Sequence, residues 1–195
     1  MSMRICEKAG ISVFEIWRKE QRLIPILQFS PSFLPPEDSP VEHRQATSST
    51  SSISGFLSSA MALQDRHHNR KIAVAMARDV FGNQEILCAR AHPVTGYTMK
   101  TDIAEIENPD SKYSFVLEPV NRLLMYSARK GLHILEGYLY ASQVPTAREQ
   151  VNMTGVGLHT IHIGNMKRSR DEFGLQAMGQ MKAAGVLEFK PANAG

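Results

Sequence analysis

The stretch Lys71-Ile72-Ala73-Val74-Ala75-Met76-Ala77-Arg78-Asp79-Val80-Phe81 alternates large apolar residues with small or charged ones. Ile72, Val74, Met76 and Val80 fall on one face and Ala73, Ala75, Ala77 and Asp79 on the other, which is the period of a β-strand. Gly82-Asn83 supplies turn residues, and 85–91 resumes a strand with Ile86 and Cys88 on one face. Two such runs around a short turn predict an antiparallel hairpin.

Similar signals continue towards the C-terminus. Tyr97, Met99, Thr101 and Ile103 alternate, Asn108-Pro109-Asp110-Ser111 reads as a turn, and Tyr113, Phe115 and Leu117 mark a further strand. Asn121 is placed to cap a short helix that ends in Arg129 and Lys130, with Gly131 as a left-handed stop. Strands are expected over 132–141 and 157–164. Ser169-Arg170-Asp171-Glu172 has the form of a capping box, and Phe173, Ala177, Met181 and Ala184 follow at helical spacing up to Gly185. The expected class is therefore α+β. It has a mostly antiparallel sheet of five or six strands, one internal helix and one C-terminal helix.

Upstream the texture changes. Residues 31–54 hold Pro31, Pro35, Pro36 and Pro40 and the run Thr47-Ser48-Ser49-Thr50-Ser51-Ser52-Ile53-Ser54, with little apolar surface to offset ordering. They read as a disordered linker between an N-terminal docking element, 1–30, and a single domain, 55–195. Within the arm, Ser12-Val13-Phe14-Glu15 matches a capping box and Pro25 would stop a helix begun there. A hairpin around Arg18-Lys19-Glu20-Gln21 is the rival, and the helix is preferred because Pro25 would remove a ladder donor. Val13, Phe14 and Trp17 are the docking candidates. The segment 55–64, with Phe56, Leu57, Met61 and Leu63, suggests a short helix leading into the domain.

Composition narrows the function classes. With 43% apolar and 21% charged residues the chain lies in the globular range, which excludes global disorder. No run reaches the ~20 apolar residues of a membrane span, and the charged N-terminus lacks the apolar core of a secretory signal. Cys6 and Cys88, one in the arm and one in a strand, do not make a disulfide framework. A cytoplasmic or nuclear location is expected. The net charge of +3 sits wholly beyond residue 69, since residues 1–69 balance seven cations against seven acids.

Chemistry-bearing motifs are few. There is no HxxxH, CxxC or HxE pattern, so neither a metal nor another cofactor is expected. No serine lies in a GxSxG elbow, and Gly155-Val156-Gly157 lacks the rest of a phosphate-binding loop. The basic groups stand out more. Arg66, Arg70 and Lys71 lie where the arm enters the domain, and Lys167, Arg168 and Arg170 precede the last helix, where cations oppose its dipole.

The arm-plus-domain layout points to a non-enzymatic assembly protein of coat or matrix type, a plan shared with viral coat and matrix proteins. It would form a homo-oligomer in which the arm contacts a neighbouring subunit. One alternative is a nucleic-acid-binding module that uses the six basic residues, which would equally suit an anionic membrane surface. The other is a small enzyme whose site carries no recognised motif.

Overall fold

The computed structural model describes residues 12–28, 41–67, 71–93, 116–170 and 172–192. The chain divides into two compact units, residues 1–39 with 93–116 and residues 40–92 with 117–195.

In the first unit the described element is a hairpin of β1 (Val13–Trp17) and β2 (Arg22–Leu27), antiparallel, turning through Arg18–Gln21. This corrects the helix preferred from the sequence. Among the described residues the two strands pair only with each other, so each has an edge, where a missing N–H is tolerated. Pro25 stands opposite Phe14, where the register slips by one residue. Phe14, Ile16, Trp17, Leu23 and Ile26 are exposed, while Val13 is half-buried.

The second unit is an α+β structure built on a mixed six-stranded sheet. Its strands, in chain order, are β3 (Val41–Gln45), β4 (Ile72–Arg78), β5 (Gln84–Arg90), β8 (His133–Ala141), β9 (Thr160–Ile163) and β10 (Glu188–Pro191). Across the sheet they run β10-β9-β8-β4-β5-β3. The β3, β5, β4 and β8 neighbours pair antiparallel, and β8, β9 and β10 pair parallel. The short β6 (His92–Pro93) and β7 (Val116–Leu117) make a separate two-stranded ladder. Four helices are described: α1 (Ile53–Arg66), α2 (Pro119–Lys130), α3 (Ala147–Gly155) and α4 (Glu172–Ala183).

The 71–91 stretch is the hairpin its alternation predicts, with Val74 opposite Cys88 and Met76 opposite Ile86. Both of its faces are buried. Ile72, Val74, Met76, Ile86 and Cys88 pack with Phe56, Ala60 and Leu63 of α1. Ala73, Ala75, Ala77 and Ala89 lie on the other face, beneath Val120 and Leu123 of α2. The alanines on that face are small enough for α2 to approach the sheet closely; they do not mark a solvent side. Val80, assigned to the core face by its spacing, is 82% exposed in the turn, because the strand ends at Arg78. Asp79 holds that turn by accepting the N–H groups of Phe81 and Asn83, each at 2.8 Å.

The linker expected at 31–54 is corrected in its second half. Val41–Gln45 is the edge strand β3, Ser48–Thr50 is a 3-10 turn, and Ser52 caps α1 by accepting the Gly55 N–H. The Ser/Thr run supplies local caps, and Val41 and Thr50 are buried. Residues 31–40 lie outside the described residues, as do the expected strand at 97–103 and most of that at 113–117. Gly131 is the expected left-handed stop of α2, at φ 66°. Asn121 does not cap that helix. Its N-cap is Glu118, Pro119 takes the first position, and Asn121 is buried one turn in, accepting from Asn152 at 2.8 Å. Ser169 does not stand in the N-cap position of α4, which begins at Glu172, and its hydroxyl donates to the Val144 carbonyl at 3.0 Å.

Candidate functional site

Strand β8 ends at Ala141, and the chain passes through Ser142–Pro145 into α3, which crosses over to the parallel strand β9. In open sheets the space beyond the carboxyl end of such a strand is a natural site, because helix N-termini converge there. Here the starts of α2 and α3 meet beyond β8. They border a narrow cleft whose polar lining includes Lys71, Glu118, Ser142, Thr146, Glu149 and Arg170.

Glu149 is the centre of this arrangement. Thr146 is the N-cap of α3 and Glu149 its capping-box partner. One carboxylate oxygen of Glu149 accepts the Thr146 N–H at 2.8 Å and the Thr146 hydroxyl at 3.0 Å. The other accepts the backbone N–H of Val120, in the first turn of α2, at 2.8 Å. The side chain is buried, and burial, together with the nearby Glu118, pushes it up from 4.5 to about 7. The donors on Thr146 and Val120 pull the other way and do not overcome the desolvation.

Glu118 makes no capping bond to its own helix. Its carboxylate instead meets Arg170 at 2.5 Å and Lys71 at 3.7 Å, and it too is buried. The surrounding segments are tied together. The Ser142 hydroxyl accepts the Ile72 N–H at 3.1 Å, and the Gln150 side-chain amide donates to the Pro145 and Gly174 carbonyls at 2.8 Å each. Residues 144 and 169 are bridged by backbone pairing, which fixes the segment carrying Arg170. This cluster is thus held on rigid elements.

Of the residues singled out from the sequence, Lys71 and Arg170 come together, on the Glu118 carboxylate. Arg66 pairs instead with Glu42, at the far end of α1. Lys167 and Arg168 are exposed in the turn after β9, and Arg70 lies outside the described residues. Three of the six basic residues are therefore engaged with carboxylates of the chain itself. Val13, Phe14 and Trp17 belong to the β1–β2 hairpin. Cys88 is buried, and burial pushes it up to about 11, so it is no thiolate nucleophile.

Sequence reasoning did not single out Glu118, Thr146 or Glu149. The signal was present for two of them: Thr146-Ala147-Arg148-Glu149, directly after Pro145, is a T-x-x-E capping box. Glu118 has no local signal, because its role depends on Arg170, 52 residues away in the chain.

No family model matches this chain, and no curated protein does. Solved structures do match, among them a dCMP deaminase from the cyanophage S-TIM5 in its apo form. That match covers 71% of this chain and 95% of the other at 14% identity, with a TM-score of 0.43. The expected non-enzymatic, coat- or matrix-like assembly protein finds no support in these comparisons and is withdrawn. The likeness is taken no further. Among the described residues no helix is long and apolar enough to cross a membrane.

Proposed function

We propose that the chain is a small-molecule enzyme in which Glu149 serves as general acid and base in the cleft at the start of α2 and α3. The observation that carries this reading is a buried carboxyl at the wall of a cleft, pushed up to about 7 by its burial and by the nearby Glu118. An acid or base works best when it titrates close to the operating pH. The proton also has a defined place. Of the three groups that donate to Glu149, the Val120 and Thr146 N–H groups cannot reverse direction. The Thr146 hydroxyl can rotate and accept, so a proton on Glu149 resides on the oxygen facing Thr146.

Zinc deaminases hold and use their metal through H-x-E and P-C-x-x-C elements. Neither is present in this sequence. The segment that keeps the second spacing, Pro145-Thr146-Ala147-Arg148-Glu149, has Thr146 and Glu149 in the cysteine positions. A threonine hydroxyl and a carboxylate already engaged with backbone donors do not replace two thiolates, so no metal-activated step enters the reading. A homo-oligomer agrees with it, because the hairpin carries exposed Ile16, Trp17, Leu23 and Ile26 that a partner would cover.

The test is a carbon-13 titration of the Glu149 carboxyl, with a substrate screen on the wild type and on Glu149→Gln. A midpoint close to 7, and a loss of turnover on the order of 10²-fold or more in the variant, are expected. A midpoint near 4.5, or equal turnover, would overturn the assignment.

A further inference from the structure

The far ends of α2 and α3 frame a second cavity, at the opposite end of these helices from the cleft that holds Glu149. Two copies of the tripeptide Gly-Leu-His build it, at 131–133 and 157–159. In each the glycine is left-handed, at φ 66° and 82°. The leucine N–H then turns back to a carbonyl five residues earlier, Leu132 to Ser127 at 2.8 Å and Leu158 to Met153 at 3.0 Å. The same stop thus ends both helices, and both leucines border the space between them, a cavity of about 130 Å³.

The wall of this cavity is largely apolar. Ile134 and Leu158 are buried in the core on the α2 side of the sheet, and Leu124 packs against them. The buried polar side chain in the wall is Ser127, 3% exposed, and its hydroxyl has no hydrogen-bond partner among the described residues. Ala128, His133 and Val156 are exposed and form the rim. Buried hydroxyls are ordinarily satisfied, and one left without a partner in an apolar wall costs stability. A ligand that brings a hydrogen-bonding group to Ser127 removes that cost.

We propose that this cavity binds a small neutral molecule of one ring that carries a hydroxyl, a phenol in chemical class. Its hydroxyl meets Ser127 and its ring lies against Leu124, Ile134 and Leu158. The size agrees, since a cavity of roughly 150 Å³ lined by leucine and isoleucine accepts a benzene ring. Neutrality follows from the wall. No permanently charged side chain lines it, and Arg129 and Lys130 at the end of α2 stand in solvent outside it. The carbonyl ends of two helices converge there, so a carboxylate or phosphate would be buried without a counter-charge. A hydroxyl both donates and accepts, and so pairs with serine in either direction. The site is independent of the acid–base reading of the other cleft.

Phenol and, separately, benzene are titrated into the full chain, with the amide signals of Ser127, Leu132 and Leu158 as reporters. Phenol should move all three and bind more tightly than benzene. Ser127→Ala should weaken phenol about tenfold, the worth of one hydrogen bond, and leave benzene no weaker. The same variant without ligand should melt no lower than wild type, because the hydroxyl it removes has no partner among the described residues. Ala128→Phe, at the exposed rim, should exclude both molecules. The proposal is overturned if phenol leaves the three signals unmoved, if Ser127→Ala binds phenol like wild type, or if that variant melts lower without ligand. It is equally overturned if folded Ala128→Phe still takes phenol, or if phenol moves only the Val120 and Thr146 signals of the other cleft.

Discussion

The carboxylate of Glu149 accepts the backbone N–H of Val120 at 2.8 Å, so α3 caps α2 across 29 residues of sequence. The residue in the N-cap position of α2, Glu118, leaves this to a distant side chain and turns towards Arg170. The starts of the two helices are thereby coupled through one buried carboxyl.

That coupling has a pH signature. Glu149 is pushed up from 4.5 to about 7, so the folded chain holds this proton more tightly than the unfolded chain does. The associated stability is complete below pH 4.5 and is lost as the pH rises through 7. Its size is bounded by the gap between the two values, on the order of 3 kcal/mol. Glu149→Gln has no proton to lose and should flatten the stability profile between pH 5 and 8. Urea denaturation of both proteins across that range checks this, and parallel profiles would remove Glu149 as the cause.

Val74 is completely buried between α1 and the sheet, opposite Cys88. Val74→Asp would place a carboxylate among apolar side chains with no partner in reach. A loss of several kcal/mol, on the order of 3 or more, is expected in the same denaturation experiment. An unchanged midpoint would mean that the face assignment of β4 is wrong.

The β4–β5 hairpin was legible because its evidence is local: strict alternation, turn residues and a second run. The sequence could not say that the alanine face is also a core face, because that depends on α2 arriving from 40 residues downstream. The Ser/Thr run misled for a related reason. Thr47, Thr50 and Ser52 do satisfy backbone groups, but around a 3-10 turn and the cap of α1, not in a solvated linker. At 11–29 a capping-box pattern and a proline argued for a helix, and the two-stranded edge geometry that tolerates Pro25 is not a local property. The site was least legible. Thr146 and Glu149 are close in sequence, but Lys71, Glu118 and Arg170 meet only through the sheet order.

Gly164 follows β9 in a position where a side chain has no room. A Cβ there would lie 2.5 Å from the Tyr140 hydroxyl and 3.0 Å from the Ser142 carbonyl oxygen. The Tyr140 hydroxyl is engaged with Gln64 of α1, so it would have to abandon that bond to make space. Gly164→Ala should therefore cost about 1–3 kcal/mol, as overpacking does. Combining it with Tyr140→Phe, which removes the obstructing hydroxyl, should recover part of the loss. If the two substitutions simply add, the clash does not lie with Tyr140.

Ser169 distinguishes two structural roles that its sequence context confuses. As a helix cap it would be expected to lower the helix content of 172–183 when replaced by alanine. In the structure its hydroxyl donates to the Val144 carbonyl, and residues 144 and 169 are bridged by backbone pairing. Helix α4 begins only at Glu172. Gly174 is packed against the same serine, since a Cβ at 174 would lie 2.1 Å from the Ser169 hydroxyl. Ser169→Ala should then cost about 1 kcal/mol, the net worth of one hydrogen bond, while leaving the helix intact. The change should appear in the amide protection of Val144, whose N–H donates to the Arg168 carbonyl at 2.9 Å in the same bridge. Because that bridge positions the segment bearing Arg170, the variant should also loosen the Arg170–Glu118 pair. Chemical shifts that report fraying at Glu172–Gln176 with Val144 unmoved would restore the capping role and detach Ser169 from the cleft.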